Sequence, residues 1–216
     1  DQAVFVLTPG LFSEFFTVKQ ANEESSTFHV LVFGRGDIED FKLKGYDIAA
    51  KAVSKLSKRY FRLIFVGAPH GKEEEVAEKL CQHGIKRKQL KVRSFKESRE
   101  DIARQFYEAD LVIMPSRTEG FGLAALEALS AGLPILVSGN SGFADALQKV
   151  LNGSNCVVNS EDPKIWAKAI ANVRKKKRAD RLQEIKVLRT RYADENSWEK
   201  QCGVLLKHMF DCFSGE

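Results

Sequence analysis

In Asp110-Leu-Val-Ile-Met114, running on through Pro115-Ser116-Arg117-Thr118-Glu119-Gly120-Phe121-Gly122-Leu123-Ala124-Ala125-Leu126-Glu127, a strand pattern gives way to a helical one. The first five residues form an apolar run of strand length, and Pro115 ends it. After Gly120 the apolar spacing becomes helical through Leu123, Leu126 and Leu129. Gly120 and Gly122 therefore lie where a strand hands over to a helix. A helix start exposes unpaired N–H groups and the positive end of the macrodipole, and glycine lets a ligand approach the backbone closely. A phosphate or a sugar hydroxyl is well received there. Glu127, two turns into the helix, can accept hydrogen bonds from vicinal hydroxyls such as those of a ribose.

Outward from this stretch the same alternation recurs. Strand-like runs at residues 3–7, 28–33, 61–66, 90–93, 111–114, 134–137 and 156–158 alternate with helical patterns at 46–58, 73–82, 98–108, 121–130, 141–150 and 163–173. In the first helical pattern Ile48, Ala49, Ala52, Val53 and Leu56 share one face while Lys51, Lys55 and Lys58 lie elsewhere, as a helix covering a sheet requires. Repeated βαβ units predict an α/β protein: a single Rossmann-like open parallel sheet with helices on both faces. After residue 171 the alternation stops, and 179–192 and 198–213 read as two successive helices. The expected organisation is an N-terminal strand and loop (1–27), a Rossmann-like domain (28–175) and extra C-terminal helices packed on it (176–216). In such a sheet ligands bind beyond the carboxyl ends of the strands, which selects the turns after Phe33, Val66, Arg93, Met114 and Val137.

Composition narrows the function classes. At 216 residues and 44% hydrophobic content the chain can bury one substantial core. No apolar run approaches the ~20 residues of a membrane helix, and the first residues lack a signal peptide's pattern, so the expectation is a cytoplasmic protein without a membrane span. Cys81, Cys156, Cys202 and Cys212 have neither C-x-x-C spacing nor disulfide-scaffold density, which reads as reduced thiols. The net charge of +5 suits attraction of phosphate. Its densest run, Arg174-Lys-Lys-Lys-Arg178, joins two helical patterns and lacks aromatic residues that would stack on bases, so it reads as a solvated junction and no nucleic-acid partner is expected. No His or Cys cluster and no Ser/His/Asp arrangement stands out.

From residue 28 to 173 the chain resembles the C-terminal, donor-binding domain of the group 1 (family 4) retaining glycosyltransferases of GT-B fold. The resemblance rests on several motifs in the family's order. Gly34-Arg35 followed by Lys44-Gly45-Tyr46-Asp47 matches the early basic pair, and Phe61-Arg-Leu-Ile-Phe-Val-Gly67 the next strand. Tyr107-Glu-Ala-Asp-Leu-Val-Ile-Met-Pro-Ser116 leads into an E-x7-E pair, Glu119 and Glu127. The run Glu127-Ala-Leu-Ser-Ala-Gly-Leu-Pro-Ile-Leu-Val-Ser138 continues it.

The resemblance implies a transferase for hexosyl groups whose donor substrate is a nucleotide-diphospho-sugar of UDP or GDP type, with no separate cofactor and no bound metal. Arg35 and Lys44 would neutralise the diphosphate, with Lys42 as an alternative to Lys44. Glu119 would face the transferred sugar in the catalytic role. Gly120, Phe121, Gly122 and Leu123 would offer backbone N–H groups, and Glu127 would hold the ribose. Phe95 stands where the family holds the base, and reads equally as one more packing residue among 15 phenylalanines. Gly139-Asn-Ser-Gly142-Phe143-Ala144-Asp145 loosely matches the family's "GG-x-x-E" turn, and His70 reads as an exposed loop residue. Complete family members have two Rossmann-like domains, and residues 1–27 are too few for a second. The expected partner is therefore an acceptor-binding domain, upstream or in trans, without which the chain would bind donor but transfer weakly or not at all. The alternative is a non-catalytic, glycosyltransferase-like binding or regulatory module of a larger protein.

Overall fold

A computed structural model describes residues 6–21, 23–34 and 40–214. Among these, six strands form one all-parallel sheet: β1 (Phe28–Phe33), β2 (Phe61–Ala68), β3 (Leu90–Ser94), β4 (Leu111–Met114), β5 (Ile135–Ser138) and β6 (Val157–Val158), in the order β3-β2-β1-β4-β5-β6. The order reverses between β1 and β4, where Val30 pairs with Leu111 and Leu31 with Val112. A crevice opens beyond the carboxyl ends of strands at such a reversal.

The central strands are largely apolar on both faces because both are covered. Phe28, Val30 and Val32 face a core shared with α1 (Tyr46–Ser54), α2 (Glu73–Cys81) and α6 (Pro163–Lys175). Leu31, Ile64 and Val66 face the opposite core, shared with α3 (Arg99–Glu108), α4 (Leu123–Ser130), α5 (Gly142–Gln148) and α7 (Arg178–Glu195). Helix starts follow local chemistry: Ser98, Ser141 and Asp162 each accept a backbone N–H at their N-caps, and Pro163 opens α6.

Several expected boundaries move by one to four residues, two of them for a visible local reason. Helix α1 ends at Ser54 instead of running to residue 58, because the Ser57 carbonyl accepts the N–H groups of Tyr60 and Phe61 (both 3.1 Å) and turns the chain into β2. Helix α4 starts at Leu123 instead of Phe121, because Gly122 sits in the left-handed region at φ +101°. The strand expected at 3–7 falls mainly outside the described residues, and Val6 and Leu7 are in no strand.

The N-terminal segment is strapped across the α3/α4/α7 side. The Tyr192 hydroxyl donates to the Pro9 carbonyl (2.8 Å), the Trp198 indole to the Leu11 carbonyl (2.9 Å), and the Phe12 N–H to the Ser130 hydroxyl (3.0 Å). Phe15 is fully buried, edge-on to Phe106 at 5.4 Å. The last helix, α8 (Trp198–Ser214), keeps Val204, Leu206, Met209 and Phe210 exposed.

The basic run at 174–178 does join α6 to α7, but Arg178 is buried instead of solvated, and Arg174 is paired and only partly exposed. Arg178 is buried with its guanidinium on Asp110, while Glu24 pairs with Arg174 (2.7 Å) and with buried Arg181 (3.0 Å). Arg174 and Arg181 also lie over the Phe28 ring, at 5.9 and 5.2 Å from its centroid.

Candidate functional site

The turn after β1 brings the first cation to the crevice. Lys44 closes a turn with its N–H on the Asp40 carbonyl (2.8 Å), and Gly45 follows at φ +69°. A Cβ on Gly45 would stand 1.9 Å from the Pro115 carbonyl oxygen, so this contact between the two loops is open only to glycine. The approach brings Lys44 Nζ to both carboxylate oxygens of Glu119, at 3.1 and 3.0 Å, and the Ser116 hydroxyl donates to Glu119 from 3.3 Å.

Residues 119–121 run beside the turn after β5. Glu119 N–H donates to the Asn140 carbonyl (3.1 Å), and the N–H groups of Gly142 and Phe143 donate back to Gly120 and Phe121 (2.9 and 2.8 Å). No side chain caps α4 at Gly122, and a Cβ on Gly120 would meet open space.

Glu127 projects from the second turn of α4 and accepts from Arg99 at 2.6 Å. Burial raises the Glu127 carboxyl above its ordinary value, the Arg99 guanidinium opposes that by hydrogen bond and charge, and Glu14 adds to the rise. The net direction is upward. Phe95, which follows β3 and donates its N–H to the Ala68 carbonyl (2.9 Å), leaves 54% of its surface exposed, so it is a wall of the crevice and not a core residue.

These side chains surround one hollow of about 620 Å³, whose walls include Lys44, Phe95, Arg99, Glu119 and Glu127. A smaller hollow, sharing Lys44 and Glu119, reaches Gly122 and Leu123. Arg35 lies outside the described residues. Lys42 lines neither hollow, whereas Lys44 lines both. Gly120 and Phe121 line neither, and the Phe121 ring packs against Phe143 at 5.7 Å, so only its backbone is on offer. His70 is exposed on its loop, as expected, and Asp145 is exposed on α5 and joins neither hollow.

Three site residues escape sequence reasoning. Asp47, buried in α1, receives two guanidinium contacts from Arg117 (2.8 and 3.2 Å), which also holds Glu161 (2.9 Å). Burial raises the Asp47 carboxyl, but the hydrogen bond and charge of Arg117 together with Lys51 outweigh it, and the group rests below its ordinary value. This pair bolts the Glu119 loop to the helix that Lys44 precedes. Both residues stand inside quoted motifs, yet neither motif shows the contact between them. Arg99 is the third, and carried no motif at all.

Among the described residues no cluster of His, Cys, Asp or Glu is arranged to hold a metal, all four cysteines are free, and no helix is long and apolar enough to cross a membrane. The Cys156 thiol is pushed up to about 12 by burial, which keeps it protonated.

A parallel sheet ordered 3-2-1-4-5-6, with cationic and acidic side chains converging on its switch point, defines a Rossmann-like domain of GT-B type. The chain belongs to a glycosyltransferase family: residues 1–205 match the model of the family 4 glycosyltransferases in conflict systems. A D-inositol 3-phosphate glycosyltransferase of Mycobacterium marinum is 31% identical over 168 residues, covering 76% of this chain and 35% of that protein. The chain thus spans about a third of the curated relatives it matches. A glycosyltransferase structure from Rickettsia africae superposes with a TM-score of 0.71 at 16% identity, covering 94% of this chain and 55% of the other. An Escherichia coli trehalose-6-phosphate structure with UDP-2-fluoro glucose bound does so with 0.65 at 16% identity, covering 90% and 49%.

Proposed function

We propose that this chain is the donor-binding half of a retaining glycosyltransferase that takes a UDP- or GDP-sugar. The observation that carries the reading is the convergence of Lys44, Glu119, Glu127 and Phe95 on one hollow at the sheet's switch point. The charge that grows on the leaving nucleoside diphosphate during transfer is met by the Lys44 ammonium, and Arg35 is assigned the same role from its place in the sequence motif alone. Glu127 accepts the ribose hydroxyls, Phe95 stacks on the base, and Glu119 faces the sugar beside the N–H groups of residues 120–123. The nucleotide sugar seen in the E. coli neighbour supports this donor class. The apolar face of α8, together with the chain's span of a third of its relatives, supports a second, acceptor-binding domain as the partner needed for transfer.

Calorimetric titration with UDP, GDP, ADP and their sugar conjugates tests the reading: one nucleoside diphosphate should bind, and no binding by any of them would sink it. The sugar subsite has its own check. Because Gly120 borders open space and is not in a left-handed conformation, Gly120→Val should leave folding stability within about 0.5 kcal/mol of the parent. The added side chain would crowd the sugar at a cost of about 1–3 kcal/mol, so the nucleotide sugar should lose roughly tenfold or more in affinity while the bare nucleotide keeps its own. Equal losses for the two ligands would misplace the sugar.

A further inference from the structure

Arg99 opens α3, directly after the Ser98 N-cap, and its guanidinium stands between two carboxylates on different elements. One side donates to Glu127 Oε1 at 2.6 Å, and its Nε lies 3.6 Å from Glu14 Oε1. The same guanidinium lies over the rings of Phe12 and Phe15, at 5.7 and 5.6 Å from their centroids. Glu14 and both rings belong to the N-terminal strap, which Ser130, Tyr192 and Trp198 fasten to the domain. A long, half-exposed side chain is thereby fixed at the rim of the hollow by a segment outside the α/β repeat.

We propose that Arg99 is a positioning residue of this pocket, which the strap Thr8–Val18 holds in place so that Glu127 presents an aimed carboxylate to the vicinal hydroxyls of a ribose. The contact suits that task. A carboxylate offers about four lone-pair directions, Arg99 uses one on Oε1, and among the described residues none is recorded on Oε2, which the diol can take. Without Arg99, burial and Glu14 would both push Glu127 towards its neutral form, a poor acceptor for two hydroxyls. Other charged groups around the hollow are Lys44, paired to Glu119, and Asp40, Lys96 and Glu97 on its rim, and the effect of pH on binding includes all of them. The proposal rests on the donor reading only for the identity of the ligand.

Two measurements keep the two readings apart. Carbon-13 NMR of labelled glutamate carboxyls, with Glu127→Gln as the assignment control, reports on Glu127 in the ligand-free protein. In Arg99→Ala its midpoint should rise by about one pH unit or more, and Arg99→Lys should restore part of the shift. Calorimetry with UDP and with inorganic pyrophosphate then separates ribose from phosphate. Arg99→Ala should weaken UDP about five- to tenfold, less than the loss of a direct charge-assisted contact because Arg99 acts through Glu127, move the acidic limb of UDP affinity to higher pH, and leave pyrophosphate unchanged. Glu14→Gln should weaken UDP in the same direction and also spare pyrophosphate. An unmoved Glu127 midpoint in Arg99→Ala overturns the proposal, as does an equal loss of UDP and pyrophosphate, and unchanged UDP affinity in Glu14→Gln overturns the strap's part. A parent protein that binds no nucleoside diphosphate overturns the donor reading instead, and the carboxyl titration still decides whether Arg99 governs Glu127.

Discussion

Asp110→Ala is expected to destabilise the domain by about 3–5 kcal/mol, the cost of leaving a buried charge without its partner. Asp110 precedes β4 and is 4% exposed, accepting the His29 backbone N–H at 2.8 Å on one oxygen and the Arg178 guanidinium on the other. Truncation removes both acceptors at once. The Arg178 guanidinium, on a residue 6% exposed, would then be left with the Ala21 carbonyl, while Arg181, 2% exposed, keeps Glu24 and the carbonyls of Arg174 and Lys176. Against the ~5–15 kcal/mol that holds a typical domain together, this is roughly a fifth of the stability or more. Urea unfolding of the parent, Asp110→Asn and Asp110→Ala measures it. The asparagine variant keeps an acceptor for His29 and should fall between the other two. A loss under about 1 kcal/mol in Asp110→Ala would mean that water reaches Arg178 and that the network is not sealed.

That network also shows where sequence reading reaches its limit. The strands at 28–33 and 111–114 are legible to the residue because a buried parallel strand must be a continuous apolar run, and local spacing carries that information. The helix ends at Ser54 and Leu123 are less legible. One is set by carbonyl contacts across a turn, the other by a glycine whose φ no spacing reveals. The basic run at 174–178 reads as solvated because its carboxylates, Glu24 and Asp110, lie some 150 and 68 residues away. The N-terminal strap hides for the same reason: its partners Ser130, Tyr192 and Trp198 are more than a hundred residues off.

The candidate site divides along the same line. Lys44, Phe95, Glu119 and Glu127 are legible because chain order and strand ends place them at one edge of the sheet, and they do share the hollow. Asp47, Arg117 and Arg99 act by orienting those four. Residues of that kind are defined by contacts between loops, and their identity as charged surface residues is uninformative until the loops meet.

Lys44→Ala should cost about 1.5–3 kcal/mol of nucleoside diphosphate affinity, roughly a 10- to 150-fold rise in Kd, while the protein stays folded. Folding is spared because the Lys44–Glu119 pair is partly solvated, with side chains 31% and 18% exposed, and such pairs contribute at most about 1 kcal/mol. Binding is not spared, for two reasons that add. The ammonium has three N–H donors and its two contacts to Glu119 leave one for a phosphate oxygen, so the substitution deletes a charge-assisted bond. It also strips Glu119 of its counter-ion, so an incoming diphosphate meets a bare carboxylate, as a like charge at close range. The signature is selective: UDP weakens strongly, uridine weakens little, and the dependence of UDP affinity on salt becomes shallower because one fixed cation has gone. Lys44→Arg should recover much of the loss, and the doubly altered Lys44→Ala, Glu119→Gln should recover part of it by removing the repulsion. Calorimetry at two salt concentrations decides the matter. If UDP binds Lys44→Ala as tightly as the parent, the diphosphate lies elsewhere and the hollow between β1 and β4 holds a different ligand.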